Sequence, residues 1–184
     1  MLRMMPKPVI AIAMLAGSAA ANAQQADASR FSTGPVFADF GQVADIETTY
    51  EIPAGIALKH SFDVGARPEQ GLNTGFVGVA RFINMHAREG VSDVQTALVV
   101  HGQAANDLLN PAAYAARFEG AANPNAALVR ALLDHGTRVI LCGQTAAGLG
   151  LDETRDLIPG VEVALSAMTA HAVLQQQGYT VNPF

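Results

Sequence analysis

Two short apolar runs constrain the fold more than any other feature of the chain. Residues 96–100 read Thr-Ala-Leu-Val-Val and stop at His101-Gly102; residues 138–142 read Arg-Val-Ile-Leu-Cys and stop at Gly143. Runs this short, apolar without alternation and closed by glycine, are strands buried on both faces, as in parallel sheets covered by helices. Between them Asn123-Pro124 opens a segment with Leu128, Ala131 and Leu132 on one helical stripe and Gly136 at its far end. That is the pattern of a capped helix, with Asn as N-cap and Pro at the first helical position.

The flanking sequence extends the same alternation of strand and helix. Residues 56–64 place Ile56, Leu58, His60, Phe62 and Val64 on one face and Lys59, Ser61 and Asp63 on the other, a strand with one wetter side. Residues 73–88 have helical spacing through Phe76, Val79, Ala80 and Ile83, with Asn73 or Thr74 as cap and Gly90 beyond the end. Residues 103–119 suit one or two short helices broken at Asn110-Pro111. A short helix from about Gln144, a strand over 161–165, a helix from a Ser166 cap to Gln177 and a last strand over 179–181 complete the reading. The expected fold is α/β: a three-layer sandwich with a mostly parallel sheet of about five strands and helices on both faces.

The first 23 residues, MLRMMPKPVIAIAMLAGSAAANA, have the form of a signal peptide. Arg3 and Lys7 are its positive start, an apolar run follows, and Ala21-Asn22-Ala23 is a cleavage pattern. Residues 24–54 read as an irregular lead-in, punctuated by Gly34-Pro35, Gly41 and Pro53, and residues 55–184 as the α/β domain. Cleavage after Ala23 implies a periplasmic or secreted protein that does not stay in the membrane. Losing Arg3 and Lys7 takes the formal charge from -5 to -7 and leaves Lys59 as the remaining lysine. An acidic surface of that kind excludes a basic nucleic-acid face.

Few chemistries fit the residues present. There is no GxGxxG after a strand and no GxxxxGK[ST]; residues 143–150 (GQTAAGLG) are glycine-rich without the phosphate-binding lysine, so no nucleotide cofactor is expected. His60, His86, His101, His135 and His171 form neither HExxH nor HxH, and no metal is expected. No GxSxG marks a serine hydrolase. Cys142 is the single cysteine, so no internal disulfide is open to it. One reading makes it a small hydrophobe in a core strand. The other notes that ligands of open α/β sheets bind beyond the carboxyl ends of strands, where a helix start favours thiolate. If the two buried strands are neighbours, His101 and Cys142 share one rim.

Leu98-Val99-Val100-His101-Gly102, Asn123-Pro124-Asn125, Val139-Ile140-Leu141-Cys142-Gly143-Gln144, Val163-Ala164-Leu165-Ser166-Ala167 and the closing residues 175–184 together resemble the DsrE/DsrF-like (YchN-like) family of small sulfur-handling proteins, in an exported form. Leu-Cys-Gly-Gln is the most specific part. The resemblance implies a homo-oligomer, trimer or hexamer, and a sulfur carrier or sulfurtransferase-like role. Cys142 would bear a persulfide exchanged with a protein or small-molecule thiol, beside His101, with Asn73, Gln144 and Tyr114 as substrate-side neighbours. The family's well-understood relays are cytoplasmic, whereas this leader implies export. The alternative is a ligand-binding or assembly module in which Cys142 is inert.

Overall fold

The computed structural model describes residues 27–182; the leader expected over residues 1–23 lies outside the described residues. Five parallel strands build the central sheet: β3 (Leu58–Val64), β4 (Val94–Val100), β5 (Arg138–Cys142), β6 (Glu162–Ala164) and β7 (Thr180–Asn182), in spatial order β6-β5-β4-β3-β7. The chain therefore steps outward from β3 to β6 and then returns across the sheet to place β7 on the far side of β3. Outward steps and the return cover opposite faces, because parallel crossovers share one hand.

The two faces differ in weight. On one, Phe62, Val64, Leu98, Val100, Val139 and Leu141 meet α1 (Thr74–Arg88) through Phe76, Val79 and Ile83, and α3 (Ala126–His135) through Leu128, Val129 and Leu132. A 3-10 segment (Gly102–Leu108), α2 (Pro111–Arg117) and α4 (Gly143–Leu149) complete that layer. On the other, Ala97, Val99 and Ile140 meet Ala170 and Leu174 of α5 (Ala167–Gln176), with Ala164, Ala167 and Tyr179 packed around them. Small residues here let one helix lie close to the sheet.

Local signals explain the boundaries. Asn73, Asn110 and Ser166 each accept a backbone N–H at the start of α1, α2 and α5. The Asn123 cap expected for α3 is displaced by two residues. Asn123 instead accepts the Asn125 N–H at 2.9 Å and holds a turn ahead of the helix, so Asn125 takes the cap position and Pro124 precedes it. The return to the sheet is closed by Gly136 in the left-handed conformation.

The lead-in is more ordered than its composition suggests. β1 (Phe31–Ser32) and β2 (Val43–Ala44) form a short antiparallel pair. Between them the chain wraps one buried residue of α1, Asn84. Its Oδ1 accepts the N–H groups of Val36 and Phe37, and its Nδ2 faces the carbonyls of Phe37, Phe40 and Gly41 at 2.9–3.1 Å. Gly34 has no room for a side chain here, since a Cβ would fall 1.9 Å from Asn84 Cγ. Replacing Asn84 with Ala strands several buried backbone groups. We expect Asn84→Ala to lower stability by about 2 kcal/mol in urea unfolding, with proteolysis of residues 33–42 speeding up under native conditions.

Candidate functional site

Side chains alternate across a strand, so Ala97 and Val99 of β4, like Ile140 of β5, look toward α5. Continuing the alternation sends His101 and Cys142 the same way, and Ser61 and Asp63 of β3 with them. The register pairs Val64 with Val100 and Val100 with Leu141, which brings these three strand ends to one rim. There they line a cavity of about 620 Å³ with Gln144, Thr145, Ser166, Met168 and His171. That size lies within the range of small-ligand sites.

Cys142 is 6% exposed and stands at the junction of β5 and α4. The turn is tight: a Cβ on Gly143 would meet the Ala164 carbonyl oxygen at 2.7 Å. In strict geometry the sulfur caps no N–H of α4. Burial pushes its thiol pKa up. The Thr145 hydroxyl and the N–H groups of Thr145, Ala167 and Gln144 favour the anion and outweigh burial, leaving the thiol below its ordinary value. Thr145 also joins the two strand ends, because its Oγ1 accepts the Gly102 N–H at 3.3 Å. A hydroxyl already accepting a hydrogen bond is a better donor to sulfur.

His101 lies on the rim, with its ring turned to Asp63: Nε2 stands 3.2 Å from Asp63 Oδ2. His171, from α5, places its own Nε2 2.9 Å from the other oxygen, Oδ1. Burial raises the Asp63 carboxyl, but the two imidazoles overcome it and hold the group below the usual carboxylate range. No imidazole contributes to the lowering of the Cys142 thiol; neutral donors do that.

The remaining expected site residues fall in two places. Gln144 lines the cavity, and its Nε2 donates to the Leu165 carbonyl at 3.3 Å. Asn73 and Tyr114 join a separate network around buried Asp107. Asn73 Nδ2 donates to Asp107 Oδ2 at 2.9 Å, Arg67 Nε to Asp107 Oδ1 at 2.8 Å, and Arg67 also bonds the Tyr114 hydroxyl. Asn73 lines a neighbouring cavity that shares Asp63 and Asn182 with the thiol's own. Of the other histidines, His60 and His86 pack on Phe82, and His135 meets Phe37 edge-on. Asp63, His171 and Thr145 belong to no motif in the sequence; the one signal is the place of Asp63 on the wetter face of the first strand.

Among the described residues no group of three or more His, Cys, Asp or Glu is disposed to hold a metal ion, and no helix is long and apolar enough to cross a membrane. A family model described as DsrE/DsrF-like matches residues 63–183. Among solved structures, the chain is similar to the protein of unknown function MTH1491 from Methanobacterium thermoautotrophicum. The TM-score is 0.50 and the identity 18%, over 68% of this chain and 97% of the other, a likeness of fold. No curated protein matches.

Thr145→Val removes the side-chain donor to the sulfur while keeping the shape. We expect the pH profile of iodoacetamide alkylation at Cys142 to move to higher pH, and Thr145→Ser to leave it near that of the native chain.

Proposed function

The chain belongs to the DsrE/DsrF-like family, and on that premise we propose that Cys142 carries sulfane sulfur as a persulfide and passes it to a thiol acceptor. Membership carries a sulfur-relay-like role in general terms. The finer reading is supported by one observation above all: a cavity-lining thiol whose neighbours favour the anion despite burial. Thiolate is the form that attacks a sulfane sulfur, and a persulfide forms on it without further oxidation. Of Asn73, Gln144 and Tyr114, Gln144 is the one that lines the thiol's cavity and supports contact with the cargo.

The partners follow from the same surface. Leu165 and Met168, 73% and 80% exposed, stand beside the cavity and support docking of a carrier protein or a second copy of this chain. The leader pattern over residues 1–23 supports export and maturation after Ala23. The mature N-terminus of protein recovered from the periplasm would then be Gln24.

The near-complete burial of Cys142 favours the competing reading, an assembly module with an inert thiol. Incubation with a persulfide donor followed by intact mass spectrometry separates the two. The native chain is expected to gain one sulfur and Cys142→Ser none. Absence of the adduct, together with slow alkylation at mildly acidic pH, would leave the inert module standing.

A further inference from the structure

Three side chains from three elements meet at this cavity, and the lowering of the Cys142 thiol requires none of them. Asp63 is the penultimate residue of β3, His101 follows β4 and His171 sits on α5. Both imidazoles contact the one carboxylate through Nε2, at 3.2 and 2.9 Å. Among the described residues no Lys, Arg or Glu lines the cavity, and the charged and titratable groups facing it there are these three and Cys142. The geometry points to His101 as the acid–base catalyst for the second thiol of sulfur transfer, with Asp63 and His171 as its positioning residues. This inference rests on the persulfide reading above.

The assignment of roles follows from exposure and from hydrogen-bond bookkeeping at the carboxylate. Asp63 is held as the anion, so each facing Nε2 carries a proton and donates it. That leaves Nδ1 of each neutral ring as a bare acceptor. In His171 this atom is buried and without a partner among the described residues, so it reaches no substrate; the ring serves to clamp Asp63. The His101 side chain is 37% exposed and its ring lines the cavity. The Cε1 edge of the ring lies against Gly65, where a Cβ would come within 2.4 Å of Cε1. A carboxylate fixing one ring nitrogen so that the other can exchange a proton is a recurring arrangement in nucleophilic catalysis.

The chemistry balances with no outside oxidant or reductant. In loading, the Cys142 thiolate attacks the outer sulfur of a donor R–S–SH; a new S–S bond forms, the old one breaks, and the departing RS⁻ takes from His101 Nδ1 the proton that this atom gained from the acceptor thiol in the preceding delivery. In delivery, His101 removes the acceptor's thiol proton, the resulting thiolate takes the outer sulfur, and the electron pair of the broken S–S bond returns to Cys142 as thiolate. Thr145 and the surrounding N–H groups receive it.

The test measures two rates on the full chain: iodoacetamide alkylation of Cys142, and sulfur delivery from the loaded protein to free cysteine, followed by mass. His101→Gln is expected to slow delivery by about 10²-fold, the usual scale of general acid–base catalysis, with alkylation unchanged. Gly65→Ala keeps the imidazole but displaces it, and is expected to slow delivery without touching alkylation. His171→Ala is expected to slow delivery, while His171→Gln, which keeps an N–H for Asp63, restores most of it. Delivery unaffected in His101→Gln overturns the inference, as does an equal fall in alkylation, which would put the ring on the Cys142 thiolate itself. If the native chain never gains sulfur, the persulfide reading fails and this one with it; if it loads and every variant delivers normally, only this one fails.

Discussion

The parallel register of β3, β4 and β5 is the constraint on which the site depends. Pairing Val64 with Val100 and Val100 with Leu141 sets three strand ends side by side. Alternation then decides that Asp63, His101 and Cys142 face α5 together. A slip of one residue in any of the three strands would send its polar group into the opposite layer, among Phe62, Leu98 and Leu141. The register is enforced from that layer, because the same slip would expel those apolar side chains. Packing on one face therefore aims the chemistry on the other.

This division of labour explains the unequal faces. The layer of α1 and α3 carries the large side chains and most of the buried apolar area, the dominant favourable contribution to folding. The apolar cluster on the α5 face has five buried residues, two of them alanines, with Ala164 and Ala167 beside them. Its light packing leaves space toward the carboxyl ends of the strands, where the cavity opens. It also tolerates a carboxylate and two imidazoles that a close-packed core would reject unless fully paired.

The parts of the molecule legible in the sequence are those governed by local rules. The runs at 96–100 and 138–142 are buried strands because nothing polar interrupts them, and Asn73 and Ser166 act as caps because their side chains reach the next N–H groups. Cys142 and His101 could be placed on a rim because each ends a strand at a glycine. What escaped depends on contacts distant in sequence. Asn84 looks like any polar residue on a helix, and only the folded chain shows residues 36–41 wrapped around it. His171 looks like an isolated histidine until α5 crosses the sheet to Asp63, 108 positions away. Asn73 was legible as a cap, but its second amide bond, to Asp107, is set by tertiary packing.

The way the thiolate is favoured has its own consequence for a sulfur carrier. A thiol lowered by a neighbouring imidazolium depends on that proton, and its reactivity changes whenever the imidazole titrates. Cys142 is surrounded instead by a hydroxyl and backbone N–H groups, which keep their protons at every step. Such short-range donors are little affected by ionic strength, unlike separated surface charges. In the proposed persulfide cycle they favour a negative sulfur equally before loading and after release. The Asp63–His101–His171 cluster is then free to handle a different proton, that of the incoming or departing thiol. In the persulfide reading proposed above, separating the group that holds the anion from the group that moves the proton lets one small cavity serve both directions of transfer.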